Sequence, residues 1–156
     1  TEATGFLNCK VIMEERELAY IAGLFDGEGS IYAYPEETKH YRLTRVGIGI
    51  GNTDLAVIDY LKSCFGGHVG IKTLPSGKQA GHWSVSCRKA IDVLRLLYPY
   101  LRIKKKQADI AFRMYSLNGR KTRSENRNEK GQFVKLSEED REEIRSLIEQ
   151  LKALNK

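Results

Sequence analysis

Two carboxylates, Asp26 and Glu28, are set apart by single glycines in the run Asp26-Gly27-Glu28-Gly29. They close an amphipathic pattern in which Leu18, Ile21, Ala22 and Phe25 recur at helical spacing and Glu14, Glu15 and Glu17 occupy the first turn, where the helix dipole favours negative charge. The glycines are expected to end this helix after Phe25, since they take backbone conformations that other residues resist. Asp26 and Glu28 then stand at the C-terminal end, where the dipole is itself negative and gives them no stabilisation. A divalent cation would compensate both, because a hard cation takes carboxylate oxygens and the carbonyl oxygens that a helix end leaves unbonded. A plain helix end with two solvated acids is the alternative.

A second cluster of charge sits late in the chain. Arg102, Lys104, Lys105 and Lys106 gather where a helix is expected to begin, against the sign of its dipole. From Arg102 to Lys135 eleven Lys/Arg face three acids, so the net charge of +6 and the pI near 9.2 belong to one region. A basic balance of this kind raises the prior for a polyanionic partner.

The elements that must carry these residues can be read in order. Residues 1–13 are read as an N-terminal arm. After the acidic turn, Ile31 to Tyr34 reads as a strand ended by Pro35, and His40 to Gly51 as a second. In the second, Val46, Ile48 and Ile50 face one way, while Leu43, Arg45, Gly47, Gly49 and Gly51 face the other; a glycine face implies close approach of another backbone or a ligand. Asn52 or Thr53 is expected to cap a helix buried through Leu55, Ile58, Leu61 and Phe65, which Gly66-Gly67 ends. His68–Thr73 and His82–Cys87 follow as strands around a Pro75-Ser76-Gly77-Lys78 turn, with Lys72, His82, Ser84 and Ser86 on one side and Val69, Ile71, Trp83 and Val85 nearer the core. A helix over Ala90–Tyr98 and another ending near Leu117 come next. Asn118–Phe133 has no apolar period and reads as a basic loop or a segment ordered on binding. Ser137 caps a closing amphipathic helix built on Ile144, Leu147, Ile148 and Leu151.

A chain of 156 residues with 41% hydrophobic and 29% charged residues is expected to form one globular domain. Cys9, Cys64 and Cys87 form no C-x-x-C pair, which argues against a disulfide scaffold and a zinc site. No apolar run approaches the ~20 residues of a membrane span. With no basic-then-apolar leader, the chain is expected to be intracellular and not secreted.

Ile21-Ala22-Gly23-Leu24-Phe25-Asp26-Gly27-Glu28-Gly29 resembles, position by position, the motif that names the LAGLIDADG homing endonucleases. The second, third, fourth, sixth and ninth positions match outright, and the others are conservative or small. The order helix, two strands, helix, two strands, helices is similar to the core of that family over about Glu14 to Leu117. Ile50-Gly51-Asn52-Thr53-Asp54 stands where the family has a polar residue near its metal site, and Pro99–Ala108 looks like its basic stretch, in which one lysine enters the active site.

The resemblance implies an α+β fold, α-β-β-α-β-β-α, with an antiparallel DNA-binding β-saddle and an extra C-terminal helix. It places the core at residues 14–117, with the basic loop and closing helix of 118–156 in the same domain. It also implies a site-specific, metal-dependent DNA endonuclease of intron or intein homing that makes a double-strand break in a long, near-palindromic target. Glu28 would carry the metal with the Gly27 carbonyl, Lys104 would stabilise the phosphate in the transition state, and Asn52 would orient a water. Mg²⁺ is the implied cofactor, with Mn²⁺ as substitute and Ca²⁺ binding without supporting cleavage. Arg102 or Lys105 stands in for a further basic residue that the family often places early in the second helix, where this chain has Leu55-Ala56-Val57.

A single copy of the motif implies a homodimer, with Ala22, Gly23 and the helix-end carboxylate Asp26 near the contact and two Glu28 residues beside the twofold axis. The implied partner is double-stranded DNA. The ribbon would present Tyr32, Tyr34, Arg45, Lys72 and His82 to the major groove, with Arg42 and Lys78 near strand ends. Arg120, Lys121 and Arg123, together with Arg127 and Lys130, would contact phosphates. The alternatives are an RNA maturase, with or without nuclease activity, a non-catalytic DNA-binding regulator of the same fold, and a basic RNA-binding protein.

Overall fold

The computed structural model describes residues 13–37, 42–117, 129–130 and 136–155. Most of the N-terminal arm and of the basic loop, including Arg120, Lys121, Arg123 and Arg127, lies outside them.

Helix α1 (Glu15–Glu28) leads into β1 (Gly29–Glu37) and β2 (Arg42–Asn52), then α2 (Leu55–Phe65), β3 (His68–Thr73) and β4 (Gln79–Ser86). Helix α3 (Cys87–Leu97) continues through a 3₁₀ turn, Tyr98–Tyr100, into α4 (Lys105–Leu117), and α5 (Glu138–Leu154) closes the chain. The four strands pair antiparallel in the order β1-β2-β4-β3.

Alternation along the strands sends Ile31 of β1, Val46, Ile48 and Ile50 of β2, and Trp83 and Val85 of β4 to one face, all buried. They pack with Ile21, Ala22 and Phe25 of α1, Ile58, Leu61 and Phe65 of α2, and Ile91 and Leu94 of α3. Burying each such large side chain is worth roughly 1.5–3 kcal/mol. Trp83 donates its indole N–H to the Gly66 carbonyl at 2.7 Å, so its polar atom is satisfied inside the core. Gly66 and Gly67 take positive φ angles of 67° and 94° to make that turn, a conformation open to glycine.

Several boundaries differ from expectation. Helix α1 does not stop at Phe25 but runs through Asp26, Gly27 and Glu28, and Gly29 closes it by donating its N–H to the Phe25 carbonyl. Glycine is needed at 29 for space rather than for φ, because a Cβ there would lie 2.7 Å from Phe25 Cε2. Strand β1 continues past Pro35, which pairs with Thr44. Since β1 is an edge strand, the missing proline N–H costs no ladder bond. The cap of α2 is Asp54, whose side chain accepts from the Ala56 N–H at 3.0 Å; Asn52 is the last residue of β2. Ile71 is 59% exposed instead of nearer the core. Helix α2 presses on β4 at Gly81, where a Cβ would meet Ile58 and Leu55 at 2.9 and 3.0 Å, and leaves the outer part of edge strand β3 uncovered.

Ser137 caps α5 as expected, accepting from the Asp140 N–H at 3.1 Å. Ile144 and Leu151 are buried, and Arg113 of α4 forms a two-pronged pair with Glu143 at 2.6 and 3.0 Å. Asn155 donates its side-chain amide to the Ile31 carbonyl at 2.8 Å, occupying an acceptor on the sheet's edge.

Candidate functional site

The C-terminal end of α1 is where the acidic and basic segments meet. Asp26, only 9% exposed, accepts from the backbone N–H of Arg102 at 2.8 Å and of Lys104 at 3.0 Å, one on each carboxylate oxygen. The Lys104 ammonium in turn donates to the Asp26 carbonyl at 2.9 Å. The dipole makes this end of α1 negative, so the cation offsets it and the two N–H groups compensate the buried carboxylate. The lysines that open α4 are settled in the same way: Lys104 on a helix end, and Lys105 over the Tyr98 ring, 5.3 Å from its centroid.

Two residues on, Glu28 is exposed at the head of the sheet. The last i→i−4 bond of α1 ends on the Phe25 carbonyl, so the Gly27 and Glu28 carbonyls lie beyond the helical ladder. A carboxylate beside such carbonyls at a negative helix end is a set of hard oxygen donors, and it fits a hard divalent cation. Among the described residues no three His, Cys, Asp or Glu side chains gather as a metal site.

An open groove of about 600 Å³ runs from Glu28 over the end of the sheet, lined also by Gly51, Asn52, Gly70, Ile71, Lys72 and His82. Glu28 and Asn52 are thus brought together, whereas Lys104, bonded to the Asp26 carbonyl, does not line that groove. Asn52 commits its side-chain oxygen to the turn before α2, accepting from the Asp54 N–H at 2.8 Å. Its amide NH₂ is the end that can serve the groove.

The sheet face away from the helices carries Tyr32, Tyr34, Arg45, Lys72 and His82, as the alternation requires. Lys72 and His82 are exposed, Tyr34 is 38% exposed, and Arg45 is half-buried, donating from Nη1 to the Cys87 thiol at 3.5 Å. Lys78 is exposed in the β3–β4 turn. Arg42 starts β2 opposite Glu37, and Lys130 is exposed in a turn.

The glycines of β2 are filled from within the sheet. A Cβ on Gly47 would come within 2.7 Å of Tyr32 Cζ, and one on Gly49 within 2.8 Å of His82 Cε1. Rings from both flanking strands lie across the track that the sequence reserved for an outside ligand. Burial and the neighbouring Tyr34 push the Tyr32 phenol upward, and a hydrogen bond with Ser84 opposes them.

Of the three residues expected at a dimer contact, only Gly23 is open. Ala22 has no exposed surface, because it lies on the same side of α1 as Ile21 and Phe25, and Asp26 is turned toward residues 102 and 104. The exposed stripe is instead Arg16, Ala19, Tyr20, Gly23 and Gly27, with Tyr20 55% exposed and nothing within 4 Å of a Cβ on either glycine. Tyr20, one turn before Gly23, is the large exposed side chain of that stripe, and the sequence alone did not single it out.

The element order, the antiparallel sheet open on one face and the acidic helix end at its head define the fold of the LAGLIDADG homing endonucleases. Among solved structures, the archaeal intron-encoded homing endonuclease I-Vdi141I complexed with DNA superposes with a TM-score of 0.65 at 18% identity, covering 91% of this chain and 86% of that one. I-CvuI in complex with its target gives 0.63 at 18% identity over 89% and 82%. The LAGLIDADG homing endonuclease I-LtrWI bound to target DNA gives 0.64 at 15% identity over 90% of this chain and 46% of that one. No protein-family model matches the chain, and no curated protein matches its sequence.

Proposed function

We propose that this protein is a site-specific DNA endonuclease that makes a double-strand break by metal-dependent phosphodiester hydrolysis, working as a homodimer on a near-palindromic target. The observation that carries the reading is Glu28: an exposed carboxylate beside carbonyls that lie past the last helical bond of α1, opening onto the same groove as Asn52. The solved structures of this fold complexed with DNA, some with Mg or Ca, support it.

Glu28 and the Gly27 carbonyl would hold the cation, which when bound supplies an activated water and neutralises charge growing on the phosphate. The chain's own residues do the rest. Lys104, held at the helix end by the Asp26 carbonyl, adds a fixed positive charge beside the developing negative one. Asn52 offers its amide NH₂ to a water or phosphate oxygen. The outer sheet face, with Lys72 and Tyr34, fits the major groove, where base edges are distinguishable.

Cleavage of both strands needs two such sites. The stripe Arg16, Tyr20, Gly23 and Gly27 follows a spacing of four, three and four, the seam that lets one helix lie along another. Packing two copies there would bring two Glu28 carboxylates near the axis, a juxtaposition that cations between them would relieve. Less than half of I-LtrWI is matched by this chain, which leaves room for a second unit of the same size in that protein.

Purified protein with Mg²⁺ and a pool of random duplex DNA is expected to release linear products whose ends share a near-palindrome, and Glu28→Gln to release none. Cutting by the variant at the wild-type rate would sink the assignment of the site. Ca²⁺ in place of Mg²⁺ is expected to support binding without cutting, and Mn²⁺ to support both.

A further inference from the structure

We propose that His82 contacts the scissile phosphodiester and holds it opposite Glu28, as the second polar arm of the site rather than a base reader. The inference rests on the endonuclease reading above. It comes from the sheet register. Gly29 pairs with Ile50, Gly51 with His82, and His82 with Gly70. Continuing the β1–β2 ladder by one residue sets Glu28 beside Gly51. Glu28, the last residue of α1, thus stands level with the row Gly51, His82, Gly70 of β2, β4 and β3, and these four residues also line one groove.

Of the four, only Glu28 and His82 have side chains. Two strand spacings put their Cα atoms about 10 Å apart, with a bare glycine between them. Such a gap admits a phosphate between a carboxylate on one side and an imidazole on the other. His82 is also kept low over the sheet: its Cε1 and Nε2 lie 2.8 and 2.9 Å from where a Cβ of Gly49 would stand, and Cδ2 lies 3.7 Å from that of Gly51. The two glycines of β2 thus make room for the imidazole, which leans from β4 over β2, the strand that separates it from β1 and the end of α1. A ring N–H offered to a non-bridging phosphate oxygen acts on charge that grows as the bond breaks, where a fixed donor has most effect.

The test compares His82→Ala and His82→Gln with wild type on a duplex recovered from the wild-type cleavage selection. Single-turnover rates are taken in Mg²⁺ at saturating protein, and affinities in Ca²⁺ by fluorescence anisotropy. His82 is exposed, so both variants are expected to fold, which their circular dichroism melts check. Both should lose about 100-fold in cleavage rate, the scale of one positioned donor, with affinity within threefold and target sequence unchanged. Added imidazole should restore part of the rate to His82→Ala and none to His82→Gln, whose side chain still fills the space.

A saturated rate within threefold of wild type overturns the proposal, as does a loss confined to affinity or base preference. Glu28→Gln, run alongside, separates the failures. An inactive Glu28→Gln beside an active His82→Ala refutes His82 alone. An active Glu28→Gln, or a wild type that cuts nothing in the pool, refutes the site and the role of His82 with it.

Discussion

Replacing Asp26 with asparagine tests whether the joint between the acidic helix end and the basic segment is what holds the site. In the native fold each carboxylate oxygen accepts one backbone N–H, from Arg102 at 2.8 Å and Lys104 at 3.0 Å, and the residue is almost fully buried. Hydrogen bonds to a charged acceptor contribute roughly 1.5–3 kcal/mol each, and a neutral one about 1 kcal/mol. Asparagine keeps one acceptor and turns its NH₂ against the other N–H, so one bond weakens and one buried donor is orphaned. The expected loss is about 3 kcal/mol. At this chain length that lowers the melting temperature by roughly 6–12 °C. Urea unfolding followed by circular dichroism measures it directly, and Asp26→Ala should lose at least as much. A change in unfolding free energy below about 0.5 kcal/mol would show that residues 102–104 are held by something else, and the structural role given to Asp26 would fall.

Three further outcomes follow from contacts described above. Gly47→Ala places a Cβ against the Tyr32 ring and should swing it off β2, weakening DNA binding by about 5–10-fold, near 1 kcal/mol, while the melt stays close to wild type; an unchanged dissociation constant would count against Tyr32 as a DNA contact. Gly23→Glu sets like charges across the proposed helix seam, a cost of roughly 3 kcal/mol, so sedimentation should show dimer affinity about 100-fold weaker with helix content intact. The third outcome concerns pH. The hydrogen bond and charge of Arg113 hold the Glu143 carboxyl below its usual range. A depressed carboxylate contributes stability above its unfolded value and loses it as pH falls through the folded one. Wild type should therefore exceed Glu143→Gln in stability at neutral pH and low salt, and the difference should vanish in acid and shrink in high salt. A difference that persists in acid would mean that packing, not the ion pair, links α4 to α5.

Local patterning was legible wherever one face decides the structure. The apolar spacing of α1, the bounds of β3, the turn at Pro75–Lys78 and the Ser137 cap all follow from near neighbours in the chain. What the sequence hid depends on what lies across the fold. Gly27 looks like a helix stop, yet α1 passes through it, because the buried Asp26 carboxylate is compensated by N–H groups from residues 102 and 104. Ala22 and Gly23 are equally small, and only the position of the sheet decides that one is buried and the other open. The bare face of β2 suggested an outside ligand; the rings that fill it come from β1 and β4, at separations no local pattern records. Glu28 and Asn52 stood out by motif, but the groove they share with His82 required the pairing of the strands across the sheet.

The Asp26 joint also dates the assembly of the fold. Its two bonds close loops of 76 and 78 residues. A loop of that length carries a closure cost of about 4 kcal/mol in chain entropy, which local helix formation does not share. Helix α1 can therefore form early, but its acidic end cannot be fixed until α4 has been made and docked. During synthesis the chain carries its full acidic turn for most of its length before the basic segment that steadies it exists. The site should therefore be among the last parts to lock, late in folding and first to loosen on partial unfolding.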